Sequence, residues 1–222
     1  PEGQGRVRSQ PPAAADGGGG VGQDSMSLPG DGRIGLLGGT FDPPHYGHLA
    51  LASEAAYRFG LDSVVLYPSR TPPHKNAPEA GLAARMEMLR LAASTSSLLR
   101  VRDLEGETGA SYSADLLQAL GLPPQRVWFI VGMDSLLDLE SWKTPERLLR
   151  MASVVAGTRP GFQSESVPEL ARGRVEVFPF PGLWISSSDL RERFARGRPT
   201  AYLTTEAVRR YISERGLYGA GR

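Results

Sequence analysis

Two of the chain's three histidines stand three residues apart in His45-Tyr46-Gly47-His48, immediately after Gly38-Gly39-Thr40-Phe41-Asp42-Pro43-Pro44. At that spacing both rings share one face if a helix starts here. A helix N-terminus carries positive partial charge and free N–H groups, so the pair is suited to phosphate. The two glycines would let backbone amides approach a bulky anion closely. The string is neither G-x-G-x-x-G nor G-x-x-x-x-G-K-[ST], which sets aside the dinucleotide fingerprint and the P-loop. A zinc pair is the metal alternative, but only His74 and Asp42 are obvious further ligands. Two purely structural histidines are the bland alternative.

Other residues able to do chemistry recur after apolar runs. Pro72-Pro73-His74-Lys75 is a proline-restricted segment presenting a cation, or else a solvated lysine on a stiff loop. Gly132-Met133-Asp134 follows the apolar run 126–131, with Trp142 beyond it. A carboxylate placed there can accept from ribose hydroxyls, and an indole can stack on a flat ring or simply fill core. Ser111-Tyr112-Ser113 offers hydroxyls that would serve a ligand or an N-cap. Arg159 follows the run 152–156, and Ser186-Ser187-Ser188-Asp189-Leu190-Arg191 opens a late helical pattern. A cation in the first turn of a helix, where Arg191 is expected, opposes the dipole and calls for an anion nearby.

The elements that position these groups are readable as an alternation. Strands are expected at 33–37, 63–67, 99–103, 126–131, 152–156 and 175–178, six in all. Between them, Leu49, Ala52, Ala56 and Phe59 mark one helical face, with Gly60 placed to end it. Leu82, Met86, Leu89 and Ala93 mark a second helix; Leu116, Leu117 and Leu120 mark a third, closed by Gly121. Thr144-Pro145 reads as an N-cap and first helical position. Late helices are expected around Leu190 with Phe194, and around Val208, Tyr211 and Ile212. This pattern predicts an α/β, Rossmann-like, mainly parallel sheet with helices on both faces. Ligands in such folds gather beyond the carboxyl ends of the strands, where the residues above fall.

Bulk properties bound the rest. At 222 residues, one sizeable core is the default; a formal net charge of +1 gives no general case for nucleic acid or membrane binding. Cysteine is absent, which removes disulfides, a thiol nucleophile and Cys-based zinc sites. No apolar run reaches the roughly 20 residues needed to span a bilayer, and no secretory h-region opens the chain, so a cytoplasmic location is expected. Residues 1–31, with Gly17 to Gly20 and little to bury, read as a disordered tail. Met26 leaves 1–25 open to being tag, extension or upstream translation, and 32–222 is expected to be one catalytic domain.

Gly39-Thr40-Phe41-Asp42-Pro43-x-His45-x-Gly47-His48 resembles the signature of the HxGH nucleotidyltransferases, whose fold is shared with class I aminoacyl-tRNA synthetases. The later strand ends are similar to those of bacterial nicotinate-nucleotide adenylyltransferases. They comprise Pro72-Pro73-His74-Lys75, Gly132-x-Asp134-Ser135-Leu136 with Trp142, Arg159-Pro160-Gly161, Ile185-Ser186-Ser187-Ser188-x-Leu190-Arg191 and Gly216-Leu217-Tyr218. Ser113 and Ser188 replace the family's Thr, and Leu190 its Ile; no hydroxyl or charge is lost. The likeness runs over roughly 33–218.

It implies that ATP and nicotinate mononucleotide are condensed to deamido-NAD and pyrophosphate by in-line attack, with Mg²⁺ carried mainly on substrate phosphates. It further implies His45, His48 and Arg191 as charge stabilisers. ATP would meet Gly38, Gly39, Thr40, Phe41, Gly132, Asp134 and Ser187 as well. The mononucleotide would meet Lys75, Ser111, Tyr112, Ser113, Trp142, which would stack on its ring, and Arg159. Other small-substrate members of the superfamily, including those using the nicotinamide mononucleotide, and a non-catalytic nucleotide-binding regulator are the competing expectations.

Overall fold

A computed structural model describes residues 31–70, 77–158, 167–182 and 184–221. Lys75, His74 and Arg159 therefore lie outside the described residues, as does the expected tail up to residue 30.

Six strands, β1 (Ile34–Gly39), β2 (Ser63–Pro68), β3 (Leu99–Val101), β4 (Val127–Gly132), β5 (Ser153–Thr158) and β6 (Glu176–Pro179), form one sheet in the order β3-β2-β1-β4-β5-β6. Every neighbouring pair is parallel, with Leu36 opposite Val65 on one side and Phe129 on the other. This is the doubly wound order, whose topological switch lies between β1 and β4, where a ligand crevice opens.

Residue alternation explains how both faces are covered. Leu37, Val64, Leu66, Ile130 and Val155 join the apolar residues of α1 (Tyr46–Phe59) and α2 (Leu82–Ala93) in one buried cluster. Leu36, Val65 and Phe129 alternate to the opposite face and are just as buried. A separate cluster joins Met88 and Ala92 of α2 to α7 (Ser187–Ala195), α8 (Glu206–Glu214) and Tyr218.

α1 ends where Gly60 turns left-handed at φ 59°. Two five-residue helices were not expected, α3 (Leu104–Thr108) and α5 (Met133–Leu137); they fall between β3 and α4 (Ser113–Leu120) and directly after β4. α6 (Pro145–Met151) begins with Pro145 as expected, but Thr144 is left-handed at φ 52° and its side chain makes no cap bond. An extended residue aims its oxygen at the first helical amides; a left-handed one does not.

Candidate active site

The turn after β1 is built by close contacts rather than by open space. A Cβ on Gly38 would meet the Tyr67 phenol at 2.6 Å, and one on Gly39 would meet the Phe41 ring at 3.1 Å. The glycines thus admit aromatic side chains of the protein itself at the strand end. Phe41 is 1% exposed with φ 51°, a left-handed conformation that a non-glycine residue holds only when its surroundings enforce it. Its ring meets His48 edge-on at 4.8 Å.

His45 caps α1 in an extended conformation, and the His48 N–H donates to its carbonyl at 3.0 Å. The His45 N–H donates in turn to His48 Nδ1 at 3.2 Å. A ring nitrogen that accepts carries no proton, so this bond assigns the proton of neutral His48 to Nε2. The two imidazoles stack at 3.7 Å. Both histidines thus sit at the helix start, as their spacing predicts.

Arg191 and Ser187 reach the same loop from α7. Arg191 donates to the Asp42 carbonyl at 2.9 Å, and Ser187 Oγ donates to the Pro43 carbonyl at 2.9 Å. Arg191 is the fifth residue of α7, past the first turn in which the sequence places it, so the helix dipole does not demand the anion that it meets, the Glu79 carboxylate at 2.6 Å. Asp42, 2% exposed, accepts from the amides of Glu79 and Ala80 at 2.8 and 3.1 Å and from the Tyr218 hydroxyl at 2.6 Å. Burial and then this bond to Asp42 push the Tyr218 phenol far above its ordinary range, so it stays a donor.

A cavity of about 520 Å³ opens at the sheet's switch point. Gly38 and Gly39 line it from the end of β1 and Thr40 from just past it, Gly132 from β4, and Ser111 and Tyr112 from the approach to α4, which Ser113 begins; Trp142 also lines it. Trp142 is partly buried and meets Phe129 edge-on at 6.1 Å, so one edge packs on core while the residue still faces the cavity. Tyr112 occupies the cap position of α4 without a side-chain cap bond, so neither Ser111 nor Ser113 caps that helix. Asp134 is exposed on α5 and is not among the residues lining the cavity.

Several contributors escaped the sequence. Arg85, 2% exposed, donates to the carbonyls of Thr40 and Ser69, each at 2.8 Å, and of Ala80 at 3.1 Å. It thereby ties the turns after β1 and β2 together, and its one trace is a charge inside an apolar helical pattern. Glu105 lines the cavity, and its carboxylate lies above the usual range because burial outweighs the hydrogen bonds from the Arg70 amide and Ser69. Asp103 moves the other way, held down first by its hydrogen bond to Arg70. Among the described residues no three His, Asp or Glu side chains converge where they could hold a metal.

Comparison with known proteins agrees with this geometry. The Cytidylyltransferase-like family pattern matches residues 36–193. A Moorella thermoacetica protein named "Probable nicotinate-nucleotide adenylyltransferase" is 40% identical over 199 residues, spanning 84% of this chain and 92% of its own. The Bacillus subtilis nicotinate-nucleotide adenylyltransferase is 37% identical over 190 residues, spanning 84% and 98%. Among solved structures, Plasmodium falciparum nicotinic acid mononucleotide adenylyltransferase complexed with NaAD shares the fold, with a TM-score of 0.70 at 22% identity over 84% of this chain and 97% of that one. The chain belongs to the cytidylyltransferase-like family and, within it, to the nicotinate-nucleotide adenylyltransferases.

Proposed function

We propose that the chain condenses ATP with nicotinate mononucleotide, giving deamido-NAD and pyrophosphate. The observation that carries this reading is the meeting of two sets of groups on one turn. Gly38 to Thr40 line a cavity shared with Trp142, Ser111 and Tyr112, while Asp42 to His48, which follow in the chain outside that lining, carry the histidine pair and receive Ser187 and Arg191 on their carbonyls. A flat ring is suited to the first set and a polyphosphate to the second.

In the reaction an oxygen of the mononucleotide's 5′-phosphate attacks the α-phosphorus of ATP. The bond from that phosphorus to the bridging oxygen breaks, and pyrophosphate leaves with the electron pair. The attacking phosphate is already a competent nucleophile, so the protein's work is positioning and charge stabilisation. His48, with its proton on Nε2, donates to a phosphate oxygen as charge builds there, and His45 serves beside it. Arg191 exchanges Glu79 for the distal phosphates, with Ser187 at the same helix start.

Mg²⁺ held mainly by phosphate oxygens and water would neutralise part of the phosphate charge. Lys75, Arg159 and Asp134 are assigned to substrate contact by family likeness alone.

The test is a pyrophosphate-release assay with ATP, Mg²⁺ and a panel of phosphate acceptors. Release with nicotinate mononucleotide is expected; release only with cytidine or pantetheine substrates overturns the reading. In the same assay His48→Ala should lower kcat by about 10²–10³-fold, the loss typical of one oxyanion donor. Near-normal turnover would remove His48 from the mechanism.

A further inference from the structure

The charges around the cavity are unevenly matched. Glu105 and Asp138 line it as carboxylates, and Lys143 is the one Lys or Arg among the described residues that line it. Lys143 directly follows Trp142, and its ammonium lies over the Tyr112 ring, 4.1 Å from the centroid. It pairs with Asp115 at 3.4 Å. Asp115, however, is already held by Arg147 at 2.9 Å, the shorter and stronger of the two contacts. One carboxylate thus faces two cations, and the trio carries a net charge of +1. Lys143 is the member of that trio that lines the cavity, and its side chain is 53% exposed, so it can turn to a ligand without breaking a buried network.

A carboxylate on a ring held in this cavity would share it with the Glu105 and Asp138 carboxylates, and a cation there would offset the repulsion. A substrate carrying an amide at the same place meets no such repulsion and gains little from a cation. We infer that the Lys143 ammonium, left in excess by the Arg147–Asp115 pair and seated over Tyr112, reads the charge of the ring substituent and selects the carboxylate mononucleotide over the amide. This rests on the proposed function, and it adds a specificity-determining side chain to that site.

The experiment compares kcat/KM for nicotinate and nicotinamide mononucleotides at saturating ATP in the wild type, Lys143→Met and Lys143→Arg. Lys143→Met should lower the acid-to-amide ratio by about fivefold, the upper end for a half-exposed ion pair, with the change lying in KM for the acid. Lys143→Arg should restore the ratio. In the unmodified enzyme, raising KCl from low to high concentration should shrink the same ratio, because added salt screens a half-exposed charge. A ratio unchanged in Lys143→Met, in a variant melting as the wild type does, overturns the role of Lys143 while leaving the function intact. A salt-independent wild-type ratio overturns it too, with no variant needed. A wild type that turns over neither mononucleotide overturns the function itself.

Discussion

Two carboxylates two residues apart answer pH in opposite directions. Glu105 lies above the ordinary carboxylate range through burial, so its ionised form is disfavoured in the folded protein. Proton binding then favours the folded state, and Glu105's unfavourable contribution sets in as pH rises from the unfolded value, about 4.3, through the higher folded one. Glu105→Gln removes a charge and keeps an acceptor for the Arg70 amide, which bonds at 2.8 Å. Its melting temperature at pH 7.5 should therefore exceed that of the wild type by a few degrees, at about 2–4 °C per kcal/mol in a chain of this size. The advantage should fade as the pH falls through the raised folded value towards about 4, where the wild type is protonated as well. Asp103 is depressed by Arg70, so its contribution is present above the unfolded value and is lost as pH falls through the folded one. Asp103→Asn should accordingly melt lower at pH 7.5. Calorimetry across pH 4–8 reads both signs; a Glu105→Gln advantage that persists undiminished at pH 4 would contradict a burial origin.

At the scale of elements, the start of α7 and the segment leading into α2 compete for one guanidinium. Arg191 bonds Glu79 at 2.6 Å, and Glu79 is 58% exposed, so the pair contributes no more than about 1 kcal/mol and a polyphosphate can displace it. Glu79→Gln removes the competitor and should lower KM for ATP by up to about fivefold in a steady-state titration. A raised KM would instead make Glu79 a positioning group for Arg191. The strands were legible because each apolar run is bounded by Gly, Pro or polar residues, and the helix that starts at His45 because Leu49, Ala52, Ala56 and Phe59 share one face ahead of Gly60. α3 and α5 have five residues each, too few for a helical period to register. Glu79 and Arg191 are 112 residues apart, and nothing local to either announces the other. The same holds for Arg85, whose three carbonyl partners are visible only once β1 and β2 lie side by side. The sequence alone puts Arg191 in the first turn of its helix, where the dipole would demand an anion; it lies past that turn, and the carboxylate that it meets comes from a remote segment.

Across the whole molecule, the longest-range of these contacts joins the end of the described chain to the turn after its first strand. Tyr218 lies 176 residues from Asp42, and its hydroxyl supplies one of three hydrogen bonds to that nearly buried carboxylate. The ring sits in the cluster formed by α2, α7 and α8, so the bond couples that cluster to the loop whose carbonyls hold Arg191 and Ser187. Tyr218→Phe keeps the ring and removes only the donor. Leaving a buried carboxylate short of a partner costs about 1–3 kcal/mol, more than the bond itself is worth in water. The melting temperature should fall by roughly 2–12 °C on the same scaling. Because the Tyr218 phenol stays protonated well beyond its ordinary range, the deficit should be constant between pH 6 and 9. Catalysis should respond as well, since the Asp42 carbonyl orients Arg191: KM for ATP should rise in Tyr218→Phe more than KM for the mononucleotide. A lower melting temperature with both KM values unchanged would confine the bond to stability. An unchanged melting temperature would show that the two amide donors alone satisfy Asp42.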